Sequence, residues 1–395
     1  MMRPYYTDPY TLEFKSEILK SIIVRGKPAV ILSESYFYPT SGGQEHDTGT
    51  INGTDVVDVV EENGEVVHVL AEKLNEGPAD CKIDRERRVS NMQQHTGQHI
   101  LSAAFENLFG IETVSSRLGE TTGTIDLSRQ PTPDEVSEVV SKANEVVRDD
   151  RKVIVHFADK SDISSFKLRK PPKVEGTVRI IEVKDFDFSA CGGTHCTHTS
   201  EVGPILTGNL EKIKASLTRI EFYCGGRAIH QYNMLNGIVL ESTRLLSTQP
   251  TELSVAIQKL KNQSQEKDGK IKALSERVLS ALCQRLSEQL RKSQEQLAIV
   301  DLNEEVADSN ELRYVSSCVA REIDKSFMFH RQEQNVCQIN LNLKGDDRQI
   351  QILIDSLRKD HDAKGGGRNG FYTLNFESSK LREIIAVIKK ALLNG

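Results

Sequence analysis

Two short stretches of this chain carry residues of the kind that bind a metal ion. His95 and His99 stand at i and i+4 in NMQQHTGQHILSAAF, a stretch of helical character. That spacing puts both imidazoles on one helix face, within reach of a single ion. Alone, such a pair is often an ordinary surface feature. The second stretch is Cys191-Gly-Gly-Thr-His195. Glycine costs about 1 kcal/mol per helical position, so a tight loop is expected here, turning thiol and imidazole toward one point. Thiolate and imidazole together are the ligand set of zinc, with bonds of about 2.3 and 2.0–2.1 Å. The two pairs together predict a zinc site built from His95, His99, Cys191 and His195. Cys196 and His198, in the same CGGTHCTH run, are alternative ligands; the Gly-Gly turn favours Cys191 and His195. Four permanent protein ligands close a tetrahedral site, whereas catalysis needs an exchangeable position, and the sequence leaves both arrangements open. No Ser-His-acid arrangement accompanies the cluster. Glu120 and Asp126 are candidate bases or orienters, although carboxylates at such positions are more often simply solvated.

The elements that must position these ligands follow from periodicity and turn signals. Residues 1–85 are β-rich: alternating runs such as VVDVVEENGEVVHVL are broken at Asn63-Gly64, a strong hairpin signal. A small barrel is the expected architecture. RVSNMQQHTGQHILSAAFENLFG then reads as a helix stopped by Gly110. Pro133 and Asp134 open a second helix, with Val136, Val139, Val140, Ala143 and Val147 at helical spacing. TGTIDLS, VIVHFAD and TVRIIEV are strand-like. From 246 to 300 the pattern is heptad-like, through Leu253, Ile257, Leu260, Ile271, Leu274, Val278, Leu282, Leu286, Leu290 and Leu297. Ser264 and Lys267 interrupt that seam and Gly269 follows, so two helices with a hairpin or kink are expected. The remainder alternates strands (VCQINLNL, FYTLNF) with helices (RQIQILIDSLRKD, KLREIIAVIKKALL), with DAKGGGRNG as a flexible glycine loop. The fold class expected is multidomain α+β. Its segments are a β-barrel over 1–85, a zinc-containing α/β domain over 86–245, a coiled-coil-like helical linker over 246–300 and a small α/β domain over 301–395.

Composition narrows the function classes. A chain of 395 residues with 37% hydrophobic and 27% charged residues suits a globular protein of several domains. No apolar run approaches the roughly 18 residues that span a bilayer, and no apolar segment follows a basic start, so no membrane partner is expected. Seven scattered cysteines, an odd number, suit a reducing compartment, and a cytoplasmic location is expected. Net charge is −6, yet nucleic acid needs only a local basic stripe. Two short stretches offer one: Arg85, Arg87 and Arg88, and Lys167, Arg169, Lys170 and Lys173 in FKLRKPPK. Each alone is as readily a solvated surface.

HTGQH followed about a hundred residues later by ACGGTH resembles the HxxxH and CxxxH motifs of the editing domain shared by alanyl-tRNA synthetases and free-standing alanyl-tRNA editing proteins, the AlaX group. YFYPTSGGQEHDTGTI (36–51) resembles the glycine motif of that family's N-terminal barrel. TSEVGPILTGNLEKIKASLTRIEFYCGGRA (199–228) resembles the segment closing the editing domain, and GGGRNG (365–370) the glycine loop of the synthetase's C-terminal domain. The likeness covers nearly the whole chain. With the barrel at the start and no aminoacylation segment before it, the long free-standing form, acting in trans, is the expected match. Two departures stand out: Arg117 where the family carries histidine, and only a partial match at GGGRNGF.

The resemblance implies zinc-dependent, ATP-independent hydrolysis of the ester joining serine, or glycine, to the terminal adenosine of alanine tRNA. A synthetase pocket for alanine cannot firmly exclude an isostere that adds a hydroxyl; a second pocket that hydrogen-bonds the hydroxyl spares alanine strongly. The resemblance further implies Ser115, Ser116 and Thr124 as hydroxyl readers. It places Gly42, Gly43, Gln44, Gly192, Gly193 and Thr194 beside the substrate, and the basic residues Arg87, Arg88, Lys167, Arg169, Lys170 and Arg368 are the candidates for tRNA contact. It also implies a homodimer through the helical and C-terminal regions. Two rival readings are a non-catalytic tRNA-binding protein with structural zinc and a zinc hydrolase of another aminoacyl ester.

Overall fold

The computed structural model describes residues 3–159, 162–171, 176–214 and 217–393; Lys173 lies outside them. The chain divides into two compact units, Met1–Leu245 and Leu246–Gly395.

The first unit begins with strands β1 (Glu13–Val24), β2 (Lys27–Leu32), β3 (Gly49–Ile51), β4 (Thr54–Glu62), β5 (Glu65–Leu70) and β6 (Gly77–Ile83), closed as a barrel in the order β1-β2-β5-β4-β3-β6. Asn63 and Gly64 join β4 to β5 with φ of 51° and 80°, the positive pair that a two-residue hairpin turn requires. The inward alternate residues, among them Val30, Ile51, Val59, Leu70 and Ile83, meet Phe37 in the barrel core. Helix α1 (Arg85–Phe109) follows; the Asp84 carboxylate accepts from the backbone N–H of Glu86 and Arg87, and Gly110 ends it in the left-handed region. Next come β7 (Thr113–Leu118), β8 (Gly123–Leu127) and α2 (Pro133–Arg148), the last opened by a Thr132–Glu135 capping box. β9 (Val153–Ala158), β10 (Val178–Val183), β11 (Asp187–Ala190), β12 (Ile205–Lys212), β13 (Thr218–Cys224) and α3 (Gly225–Leu246) complete the unit. Two antiparallel sheets result, β12-β13-β8-β7 and β11-β10-β9.

Helix α1 runs through the middle of this unit and is buried on every face from Gln94 to Phe105. Ile100, Leu101 and Phe105 pack with Val139, Ile181, Ile220 and Phe222. Gly97 lets the helix approach β13 closely, because a Cβ there would lie 2.2 Å from the Cys224 sulfur.

The second unit holds α4 (Leu253–Lys292), β14 (Leu297–Asp301), α5 (Ser309–Glu322), β15 (Ser326–Glu333), β16 (Val336–Asn342), α6 (Asp347–Asp360), β17 (Lys364–Arg368), β18 (Phe371–Glu377) and α7 (Leu381–Leu393). Its sheet has the order β14-β15-β16-β18-β17, parallel only at β14–β15. Phe327 and Phe329 pack with α4 and α5, whereas the alternate residue Met328 packs with α6 and α7.

Two expectations are corrected here. Helix α4 is one continuous helix of 40 residues, not a hairpin: Gly269 costs only about 1 kcal/mol, too little to break so long a run. Nor is it only a linker, since Leu279, Leu282, Cys283, Leu286 and Leu290 are core residues of the second unit. The glycine run is no flexible loop either, but edge strand β17, joined to β18 through Asn369 and Gly370 at φ of 53° and 80°. Its glycines serve close pairing: a Cβ on Gly365 or Gly367 would lie 2.2 or 1.9 Å from the carbonyl oxygens of Thr373 or Phe371. No helix among the described residues is long and apolar enough to cross a membrane.

Candidate metal centre

Helix α1 presents His95 and His99 one turn apart, and the loop leaving β11 carries Cys191 and His195 to meet them. One ligand atom from each of the four lies within 4.8 Å of the others. Cys191 Sγ is 3.2 Å from His95 Nε2 and 3.3 Å from His195 Nε2. The His195 ring lies 4.4 Å from that of His95 and 4.7 Å from that of His99. Tetrahedral zinc sets its N and S ligands roughly 3.3–3.6 Å apart, so this donor set fits the ion. The two alternative ligands stand elsewhere. Cys196 is buried in the core, where burial pushes its thiol up to about 12, and His198 faces Glu201 at 3.9 Å.

Each imidazole has a polar neighbour at Nδ1, and those of His95 and His195 are hydrogen-bonded there. His95 Nδ1 donates to Gln44 Oε1 at 2.7 Å, His195 Nδ1 faces the Thr96 hydroxyl at 3.2 Å, and His99 Nδ1 lies 3.4 Å from Asp187 Oδ2. Nε2 is thereby left for the centre, which is how metal-ligating histidines are oriented. Electrostatics agree. Burial opposes ionisation of Cys191, but His95 and His195 outweigh it and hold the thiol well below its usual range. Burial, reinforced by His95, keeps His195 neutral well below the usual imidazole value. At His99 burial is outweighed by Asp187 and Cys191, which push it up to about 9. The half-buried Cys191 sulfur is thus favoured as the thiolate, the form that binds a metal cation.

The Gly42-Gly43-Gln44 loop comes from the barrel. Gln44 is fully buried; its Nε2 donates to Thr194 Oγ1 at 2.8 Å and its Oε1 accepts from Thr194 N at 3.1 Å. One side chain therefore joins the ligand helix to the ligand loop. Gly193 lies against the His95 ring, where a Cβ would be 2.1 Å from Cε1. Replacing Gln44 with alanine should lower metal affinity roughly 10- to 100-fold, read by competition with a chromogenic chelator; unchanged affinity would remove Gln44 from the centre.

A cavity of about 860 Å³ opens over His95, His99 and Cys191, with Gly42, Gly192, Ser115 and Ser116 along its walls. Ser115 Oγ donates to Asp126 Oδ2 at 2.5 Å, and Arg219 at 2.7 Å, helped by Ser115, holds the Asp126 carboxyl below the usual carboxylate range. Thr124, Asp126 and Glu120 are not among the lining residues; Glu120 pairs with Arg87 at 3.1 Å beside a different cleft. Of the basic residues, Arg169 and Lys170 do line the cavity, whereas Lys167 and Arg368 are not among its lining residues. Arg169 bonds Asp187 at 2.5 Å and Ser189 at 2.8 Å, and Lys170 Nζ donates to the carbonyls of Thr113 and Val114. Lys167 is exposed in the first unit, and Arg368 is exposed beside Arg313 in the second. Arg88 is a correction: it is wholly buried and ion-paired with Asp47, so it holds the fold and cannot touch RNA.

Residues 178–221 match the family model described as threonyl and alanyl tRNA synthetase second additional domain. Over 241 residues the chain is 36% identical to the alanyl-tRNA editing protein AlaX-L of Pyrococcus horikoshii, covering 58% of this chain and 60% of that protein. Over that span the chain is similar to an alanyl-tRNA editing protein. It is also 26% identical over 401 residues to the alanine–tRNA ligase of Methanococcus maripaludis, covering 98% of this chain and 43% of that enzyme. With the ligase of Pyrococcus abyssi it shares 30% identity over 306 residues, covering 74% of this chain and 33% of that enzyme. The chain thus spans less than two thirds of the length of each of these relatives.

Three supporting residues escaped the sequence reading. Arg179 is buried; its Nη1 donates to the carbonyls of Cys191 and Gly193, both at 2.8 Å, its Nη2 to that of Tyr6 at 3.2 Å, and its guanidinium lies 5.1 Å from the Tyr6 ring. Thr96 Oγ1 also accepts from Cys196 N at 3.0 Å. Asp187 had a readable signal: in DFSAC it alternates with Ser189 along β11, so both face one side, just before the loop that carries Cys191.

Proposed function

We infer that this chain is an aminoacyl-tRNA deacylase that removes serine, and more slowly glycine, from mischarged alanine tRNA with zinc at the four-residue centre. The observation that carries this reading is the cluster of buried His95, His99 and His195 with half-buried Cys191, beneath an open cavity with serine hydroxyls on its wall. The similarity to the alanyl-tRNA editing protein AlaX-L supports the same direction. Zinc held there supplies a Lewis acid for an ester carbonyl or for water. The protein groups do the rest. Gln44 and Thr96 fix the rings of His95 and His195, Asp187 faces that of His99, and Arg179 holds the ligand loop by its carbonyls. Ser116, exposed on β7 and lining the cavity, is the hydroxyl best placed to read a serine side chain, since Ser115 already serves Asp126. The exposed Lys167 is offered to the tRNA backbone.

A single assay tests this. Zinc-replete protein is given serine, glycine and alanine esters of alanine tRNA, and a serine ester of another tRNA. Serine should leave alanine tRNA fastest and alanine should remain. Persistence of the serine ester despite measured tRNA binding would favour the binding-only reading; equal hydrolysis of all esters would favour a general esterase.

The first part of α4 supports the dimer. Ile257, Leu260, Ile271, Leu274 and Val278 are exposed large apolar residues at a/d spacing. An antiparallel pairing centred between Gln265 and Glu266 matches every layer. Leu253 then faces Val278 of the partner subunit, Ile257 faces the partner's Leu274, and Leu260 faces the partner's Ile271. The polar Ser264 and Lys267 share the central layers, and Lys261 lies across from Asp268 of the partner subunit, an attractive flanking pair. Leu260→Glu should therefore yield a monomer in sedimentation equilibrium; an unchanged oligomer would count against this pairing.

A further inference from the structure

The apolar wall of the metal cavity is not accounted for by hydrolysis of a seryl ester. Phe157, on edge strand β9, is 44% exposed, and its ring lines the same cavity as His95 and Cys191. Val114, 50% exposed, Val178 and Pro171 line it too. Among the described residues Phe157 has no aromatic or cationic ring partner and belongs to no core cluster; its neighbours on β9 differ, Val155 packing on the main core and Ala158 within a smaller one. An aromatic ring on the wall of a cavity and unused by the core is available to a ligand.

Its position is also fixed relative to the metal. Phe157 stands directly opposite Arg179 in the β9–β10 register, and such opposed residues share a face, with Cβ atoms about 5 Å apart. Arg179 in turn grips the carbonyls of Cys191 and Gly193. The ring is therefore one cross-strand neighbour away from the ligand loop. A cavity of about 860 Å³ belongs to the size class that encloses drug-sized molecules, roughly 300–1,000 Å³, far more than a seryl group fills. Serine needs hydroxyl partners, not an apolar wall. The part of the substrate that is flat, large and apolar on its faces is the base of the terminal nucleoside.

We propose that Phe157 is the stacking platform for the terminal adenine of the aminoacyl-tRNA, seating the base against β9 while the ester lies over His95 and Cys191. This rests on the deacylase reading above and adds the residue that recognises the nucleoside. Base–aromatic stacking tolerates any base but requires a ring, and it holds ground state and transition state alike. The loss on truncation then falls on KM rather than on kcat.

Phe157→Ala and Phe157→Tyr are compared with the unaltered protein on two minimal esters, 2′(3′)-O-seryl adenosine and a seryl ester of ribose without a base. Binding of non-hydrolysable 3′-deoxy-3′-serylamino adenosine is measured by calorimetry in parallel, and zinc content verifies the centre. Phe157→Ala should raise KM for the adenosine ester and weaken the analogue roughly 5- to 150-fold. It should also erase most of the preference for the adenosine ester over the base-free one, and Phe157→Tyr should restore it. Equal binding of the analogue by Phe157→Ala and the unaltered protein, or an equal loss on both esters, would overturn the stacking role. Failure of the unaltered protein to cleave either ester would instead overturn the deacylase reading; the calorimetric arm would still decide whether Phe157 binds the base.

Discussion

Cys191→Ala should abolish tight zinc binding and lower deacylation by on the order of a thousand-fold or more, with the first unit still folded. The size of the loss follows from what a bound cation contributes at a developing negative charge, several kcal/mol. Retention of the fold follows from the packing. Ile100, Leu101 and Phe105 of α1 are buried among Val139, Ile181 and Phe222, and none of those contacts runs through the metal. The three histidines remain after the substitution, but the only anionic ligand of the set is gone, and the attraction it exerted on a dication goes with it. Inductively coupled plasma analysis of zinc, far-ultraviolet circular dichroism and the serine-release assay distinguish the outcomes. Loss of zinc together with loss of the circular dichroism signal would make the ion structural. Loss of zinc with full activity would remove it from the chemistry altogether.

How far the centre could be read from the chain depends on the range of the interactions concerned. Local signals served well: Gly110 ends α1 and Pro133 opens α2, and Asn63-Gly64 turns the hairpin it announces. The four residues of the candidate metal centre could be picked out because each pair is compact in sequence, and their types restrict the chemistry. Their supports could not, since these act across the fold. Gln44 is 51 residues from His95, and Arg179 meets the Tyr6 carbonyl across 173 residues. A Gly-Gly-Gln tripeptide says only that a turn is permitted; it does not say that the amide points inward onto an imidazole. Arg88 is the sharpest case. Three arginines within four residues look like a basic surface, yet Arg88 is wholly buried against Asp47, Arg87 is half-buried against the His46 carbonyl, and only Arg85 is exposed. The glycines of β17 were misread for a related reason, because close approach between strands and loop flexibility use the same residue.

That inward turn of Arg88 gives the second large effect, a loss of roughly 3–5 kcal/mol of stability on Asp47→Ala. Both side chains are wholly buried. Arg88 Nε lies 3.1 Å from each Asp47 oxygen, Nη2 is 2.5 Å from Oδ2, and the remaining donors reach the carbonyls of Pro9 at 2.6 Å and Tyr36 at 2.5 Å. Asp47 Oδ2 also accepts from the Tyr38 backbone N–H at 2.7 Å. Removal of the carboxylate strands a guanidinium charge and a backbone donor in a dry interior, and that desolvation, rather than the worth of the pair itself, sets the magnitude. Urea titration followed by fluorescence of the tyrosines measures it directly; a change below about 1 kcal/mol would show that water reaches Arg88. Asp47→Leu combined with Arg88→Met should cost less than the two single changes summed, because no buried charge is then left alone. The consequence extends to the metal. Arg88 precedes His95 by two turns of α1 and Asp47 follows Gln44 by three residues, so the same ion pair that joins barrel to helix also sets the amide against the imidazole. Asp47→Ala should therefore weaken zinc binding even where the protein remains folded, whereas a stability defect confined to the barrel would leave it unchanged.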